Sequence, residues 1–224
     1  MDFGVALTDD AGNPFYIKGT MPLTLISKQT FSVPAGGLGS AVIHQNDGVL
    51  RLFYYDTTSA GSYAYYSQDS AGIGTLTYVG NTSGVVITLY TFGYQYQTPP
   101  KFGIAIWDNA SPRRCIIHNQ SKVLSNVQSL GTEGSDSAGY NTNVSLSGRW
   151  AISPIMTGYI NGVINQGAQN YPFVSIFYAR SFFDGSSSNI ASVLDKGTPS
   201  GGGVANVTYN NFRSRIFAVD VSRY

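Results

Sequence analysis

Apolar and polar positions alternate in short runs along most of the chain, and turn residues cut the runs apart. Residues 23–33 are the clearest case. Leu23, Leu25, Ser27, Gln29 and Phe31 fall on one side of an extended chain, and Thr24, Ile26, Lys28 and Thr30 on the other, which is the two-residue period of a β-strand. A first run at 3–7 is followed by Asp9-Asp10-Ala11-Gly12-Asn13 and then Phe15-Tyr16-Ile17, the layout of a hairpin around a glycine-containing loop. The runs 41–45 and 49–55 flank Asn46-Asp47-Gly48, and an Asp-Gly step in that setting predicts a second, tight hairpin. Further strands are expected at 63–67, 76–79, 85–92, 102–107, 115–118, 150–155, 174–182, 204–209 and 212–221.

Residues 121–148 are polar and poor in large apolar side chains, and read as a long loop or a pair of weak strands. Segments 185–189 and 197–203 are flexible by composition. No apolar stripe of helical spacing and no internal repeat is present. About a dozen short strands with turns at short intervals predict an all-β fold, an antiparallel β-sandwich or jelly-roll-like domain with long polar loops. A single domain over 1–224 is expected; two packed β units, 1–120 and 149–224, are the alternative.

Composition sharpens this reading. Charged residues make up 11% of the chain, against about 25% in an ordinary soluble domain. There is one glutamate, Glu133, and only five lysines. Helices solvate their outer faces with Glu, Lys, Gln and Arg. This chain uses Ser, Thr, Asn and Gly, which suit strands and turns. The net charge is +1, and the densest basic sites are Arg113-Arg114 and the pair Arg213, Arg215, so a nucleic-acid partner is not expected. No apolar run approaches the roughly 18 residues of a spanning helix. The start, MDFGVALTDD, lacks the pattern of a secretory leader, and Cys115 is the single cysteine. Both features fit folding in a reducing cytosol.

Candidate chemistry is sparse. His44 and His118 are the only histidines and no metal-ligand spacing occurs, so neither a metal nor a cofactor is expected. Asp9-Asp10-Ala11-Gly12-Asn13 holds several oxygens but lacks the spaced carboxylates of a calcium loop, and reads as a turn. Glu133 and Asp136 are the only close acids of the polar segment. They are the candidates for a glycan hydrolase, which needs two facing carboxyls; a solvated loop is the better reading. Ser135-Asp136-Ser137-Ala138-Gly139 echoes a serine-protease signature, but Ala138 stands where a glycine would shape the oxyanion hole. No G-x-S-x-G elbow and no nucleotide-binding glycine loop before a helix is found. No catalytic residue is expected.

Tyrosine is the distinctive residue, with 16 copies. Tyr63, Tyr65 and Tyr66 form one cluster and Tyr90, Tyr94 and Tyr96 another. Tyrosine joins a large apolar area to a polar tip and is enriched at interfaces, although cross-strand packing also uses it. Tyr63, Tyr65, Tyr66, Tyr94, Tyr96 and Trp107 are therefore the candidate surface-recognition aromatics. With Trp150 they motivate one functional reading, a carbohydrate-binding module.

The opening Gly4-Val5-Ala6-Leu7-Thr8-Asp9-Asp10-Ala11-Gly12-Asn13-Pro14-Phe15, leading into Met21-Pro22-Leu23-Thr24-Leu25, is similar to the start of a family of small tail-module virion proteins of long-tailed, siphovirus-type bacteriophages. The resemblance is sharpest over about the first thirty residues; beyond them it is one of style, in Gly/Ser/Asn/Tyr-rich strands and scarce Glu and Cys. It implies a structural, non-enzymatic protein at or near the tail tip or fibre, present in several copies. It implies other tail proteins as partners, a bacterial surface glycan or protein as receptor, and a location in the virion after assembly in the host cytoplasm. Rings and trimers repeat one interface, and unpaired strand edges dock by strand addition. Residues 1–17, with Phe3, Val5, Leu7, Phe15 and Ile17, are the expected assembly segment.

Overall fold

The computed structural model describes residues 7–8, 14–15, 21–35, 37–197 and 203–224. The fold is all-β and sandwich-like. Its strands are β1 (Leu7–Thr8), β2 (Pro14–Phe15), β3 (Thr24–Ser32), β4 (Leu38–His44), β5 (Arg51–Thr57), β6 (Tyr63–Gln68), β7 (Gly74–Val79), β8 (Val86–Gly93), β9 (Ala105–Trp107), β10 (Cys115–His118), β11 (Val127–Leu130), β12 (Asn143–Ser147), β13 (Trp150–Ile152), β14 (Met156–Gln166), β15 (Gln169–Phe183), β16 (Ser187–Leu194), β17 (Val204–Asn211) and β18 (Ile216–Asp220). One short 3-10 turn, Gly139–Asn141, is the only helical element among the described residues.

The main sheet runs β11-β18-β13-β5-β15-β14-β17, with β3 and β8 joined through β5 and with β16 and β12 joined through β15. A three-stranded sheet, β4-β7-β6, lies over one face. Ala64 and Leu76 of this small sheet share a core with Tyr55, Ile87, Leu89, Trp150, Ile152, Ala179, Ile190, Ile216 and Ala218. A second, smaller core on the opposite face gathers Tyr54, Tyr90, Phe92, Ala151, Val219 and Val221, closed by Leu25, Leu52, Leu124 and Tyr224. β8 thus has both faces buried. Ile87 and Leu89 point to the larger core, Tyr90 and Phe92 to the smaller, as the period of two requires.

β5 ties the halves of the chain together. It pairs with β8 over seven residues, meets β13 at Ile152↔Tyr55, and touches β15 in parallel at Phe182↔Thr57. The main sheet therefore continues across the polar segment 121–148. That segment supplies two weak strands, β11 on β18 and β12 on β16.

β5 itself carries a charge in a dry place. Asp56 is about 1% exposed, and Arg149 donates to it through Nε at 2.6 Å and Nη2 at 2.8 Å. The Tyr90 hydroxyl adds a long bond to Asp56 at 3.4 Å, and burial pushes the Tyr90 phenol well above its ordinary pKa. The Arg149 guanidinium also lies over the Phe183 ring at 5.7 Å.

Several sequence expectations change. The Asp47-Gly48 step does not close a hairpin: β4 pairs with β7, and β5 with β8. Asp47 instead caps a crossover between the two sheets. It accepts from the Val49 amide at 3.0 Å and forms a two-pronged ion pair with Arg51 at 2.7 and 2.5 Å. On β3, Leu25 and Phe31 do not share a face. The register shifts between Leu25 and Ser27, so Leu25 lies opposite Phe92 and Phe31 opposite Ile87; a bulge moves the rest of the strand to the other side. The flexible stretch expected at 185–189 instead leads straight into β16. Asp184 accepts from the Ser186 and Ser187 amides and hydroxyls at 2.8–3.0 Å, which holds its carboxyl down at about 2. β1 and β2 pair antiparallel, Leu7 opposite Phe15.

Candidate functional site

The tyrosine clusters have different fates. Tyr63 and Tyr65 share a face of β6, as their spacing requires, but that face is covered. Tyr178 of β15 slots between them, with ring centroids 4.9 and 4.6 Å away and planes within 7° and 17°. Tyr63 is only 5% exposed. Burial, then the nearby Asp195, pushes its phenol up, and Tyr178 rises to about 12 chiefly for the same reason. Tyr63 is a packing residue and not a surface-recognition one, because β15 crosses the face that it would present. Trp150 is also corrected: it is buried in the larger core and donates its Nε1–H to the Ser147 carbonyl at 2.8 Å.

Tyr66 faces the other way, into a groove of about 450 Å³ lined by His44, Leu50, Phe53, Tyr54, Ile155 and Phe217 among others. Its hydroxyl meets His44 Nε2 at 2.8 Å, and His44 Nδ1 lies 2.9 Å from the Gln45 carbonyl. A carbonyl only accepts, so Nδ1 carries the proton and Nε2 accepts from Tyr66. Both ring nitrogens are engaged. The imidazole stacks on Phe53 at 5.6 Å, and Phe53 stacks on Tyr66 at 5.2 Å. Gly74 makes room, since a Cβ there would overlap the His44 ring. The trio is a stacked aromatic wall in which both imidazole nitrogens are engaged.

Tyr94, Tyr96 and Trp107 are all about half exposed, and the fold brings their segments together. β9 and β10 form a hairpin bonded to no other named strand. It is tied to the 94–97 segment by the Gln97 amide donating to the Cys115 carbonyl at 2.8 Å, with Cys115 opposite Trp107. Gln97 Nε2 then reaches Thr24 of β3 at 2.9 Å. Arg114 lies over the Tyr96 ring at 4.0 Å while its Nε donates to Asp108 at 2.7 Å. Phe102 and Ile104, not singled out in the sequence, stand out further, at 79% and 69% exposed.

A second uncovered region is the arm formed by β15, β14 and β17. No residue from 161 to 174 is buried, and none from 203 to 211. The arm's two faces present Tyr171, Val174, Val207 and Tyr209 to solvent. β17 is bonded to β14 on one side and to no strand on the other among the described residues. Its sequence, Val-Ala-Asn-Val-Thr-Tyr-Asn-Asn, carries no charge and no proline, two of the devices that keep an edge from pairing, although a bulge at Asn206 and Val207, with Asn206 at φ +54°, interrupts its register with β14. Of the expected assembly segment, Leu7 and Phe15 lie opposite each other, while Phe3, Val5 and Ile17 fall outside the described residues.

The acids do not face each other across a cleft. Asp136 is held by Arg213 at 2.6 Å, and Glu133 lies 3.6 Å from Arg215, with both carboxylate side chains mostly exposed. Among the described residues no three His, Cys, Asp or Glu side chains come together as a metal site would need. The Asp9–Asn13 loop lies outside them. Burial pushes the Cys115 thiol up, away from nucleophilic character. No protein-family model, curated protein or solved structure matches this chain.

Proposed function

We propose that this chain is a structural component of a bacteriophage tail, placed at the tip or fibre, that works by repeated protein–protein contact and by meeting the host surface. The observation that carries the assembly part is the β15-β14-β17 arm, uncovered on both faces and ending in an uncharged, unpaired strand edge. Such an edge is a template for strand addition by a neighbouring chain. The likeness of the first thirty residues to tail-module virion proteins supports the phage setting. The half-exposed Tyr94, Tyr96 and Trp107, with Phe102 and Ile104, supply a second uncovered surface for the neighbour or host.

Size-exclusion chromatography with light scattering is expected to return a multiple of the 24.0 kDa chain mass. Val207→Lys, which places a charge on the open edge, is expected to shift that species towards monomer. Cryo-EM of the particle should find repeated copies touching other tail proteins. A protein that stays monomeric and is missing from the virion overturns the reading.

A further inference from the structure

At the base of the arm, where β17 runs into Phe212 and Arg213, the surface sinks into an open depression of about 520 Å³. Asp136, Tyr140, Tyr159, Tyr209, Phe212 and Arg213 line it together with Asn210 and Asn211. The size lies within the range of roughly 300–1,000 Å³ typical of small-molecule sites.

The depression is a built feature. Asn211 clamps the 136–140 loop to the end of β17 with all of its side-chain atoms. Its Nδ2 donates to the Ala138 carbonyl at 2.9 Å and the Asp136 carbonyl at 3.3 Å, and its Oδ1 accepts from the amides of Arg213 at 2.9 Å and Tyr140 at 3.3 Å. Arg213 is held at φ +52°, a left-handed conformation that ordinary residues rarely adopt, and its Nη2 reaches Asp136 at 2.6 Å. Non-glycine residues in that conformation cluster at ligand sites.

The wall is open at two rings, Tyr209 and Phe212, and is closed behind by Tyr140 and Tyr159. Tyr209 is 53% and Phe212 46% exposed. Tyr159 meets Phe212 edge-on at 5.8 Å, and Tyr140 is backed by Phe177 at 4.6 Å. The hydroxyls of Tyr140, Tyr159 and Tyr209 have no hydrogen-bond partner among the described residues, nor has Asn210 Oδ1, whose amide nitrogen is fixed on Asn161 at 3.1 Å. The Tyr63–Tyr178–Tyr65 stack is the internal contrast to Tyr209, for there the ring faces are engaged with one another, whereas Tyr209 has no ring partner among the described residues. Asp136 and Arg213 cancel in charge, so the site attracts neither anions nor cations as a whole.

Half-open aromatic rings surrounded by free hydroxyl, amide and paired ionic groups match a ligand with flat C–H faces, many hydroxyls and no net charge. We propose that this depression binds a neutral oligosaccharide. An acidic glycan or a nucleotide would find no net positive charge to offset the desolvation of its own, because Arg213 is already paired with Asp136, and a purely apolar ligand would leave the three hydroxyls desolvated without partners. The inference does not depend on assembly: a protein that is monomeric and missing from the virion, yet binds glycans through this site, keeps it and sinks only the tail reading.

The test is the full chain on an array of immobilised neutral and acidic oligosaccharides, followed by calorimetry with the best neutral hit. Neutral glycans are expected to bind. Tyr209→Ala should weaken the hit by roughly 10-fold or more, as loss of an aromatic anchor does, and Tyr209→Phe by a smaller factor. Val42→Ser, at an exposed position of β4 in the small sheet and outside the lining of the depression, should leave the affinity unchanged. Each variant is checked for an unaltered melting temperature. An array with no neutral binding, binding of acidic glycans alone, or a neutral hit retained in full by Tyr209→Ala overturns the proposal.

Discussion

β8 and the distal part of β14 are both strands in the middle of a sheet, each paired on two sides. Seven of the eight residues of β8 are buried, whereas none of the residues from 161 to 166 is. Both are paired on two sides, β14 less regularly because of the bulge opposite Gly162; the larger difference is cover. The small sheet and the chain end, with Tyr224, close over β8 and its neighbours, and nothing among the described residues closes over the arm. Hydrogen bonding therefore makes a strand in either place, but side-chain burial makes only one of them a source of stability. The arm is held by its ladder and its attachment to β15, and its apolar side chains are available to a neighbour.

This contrast can be broken by mutation. Leu89→Ala removes a fully buried side chain from the larger core and is expected to lower unfolding stability by about 3–4 kcal/mol, within the range for buried leucines. Urea titration would read it, and a loss under ~1 kcal/mol would show that β8 is not the tight centre described. Asp56→Ala leaves Arg149 without its partner. Breaking a buried pair costs about 3–5 kcal/mol, but Arg149 is about a third exposed and can hydrate, so roughly 2–3 kcal/mol is expected by the same titration. Val174→Ser, on the arm, should change the stability of the isolated chain by no more than ~0.5 kcal/mol. A larger loss in dilute, monomeric protein would mean that the arm is packed against something within its own chain.

Much of the fold is legible in the residues themselves. β10 has the expected bounds, and β3 falls within the expected run, because alternation and turn signals are local. β14 is hidden by Gly158, Asn161 and Gly162, which look like turn residues. In the fold these glycines mark close approaches: Tyr140 lies over Gly158, and a Cβ at Gly162 would come within 2.8 Å of the Phe173 ring. A strand glycine often means this, but its covering aromatic lies elsewhere in the sequence. β16 is masked by its serines, of which Ser188 is buried with its hydroxyl bonded to the Gly148 carbonyl at 3.0 Å. The Asp47 turn misleads because strand choice is settled by long-range partners, not by the turn alone.

The candidate surfaces are legible in residue type but not in place. Tyr63 and Tyr96 look alike in sequence, and only β15 passing over one of them separates their roles. The depression at Asp136, Tyr209 and Arg213 joins residues more than seventy positions apart. Spacing along the chain carries no trace of that meeting.

The position of β5 also has a temporal consequence. The strand is made early, yet its contacts with β13 and β15, including the bond from the Tyr55 hydroxyl to the Ala179 carbonyl 124 residues later, need the far end of the chain. Contacts so distant along the backbone slow folding, and a nascent chain halted before β15 would carry the interior face of β5 open to water. Closure must wait until β13 and β15 have been made, so products truncated before β15 are expected to be sticky and prone to proteolysis and not to be half-working proteins.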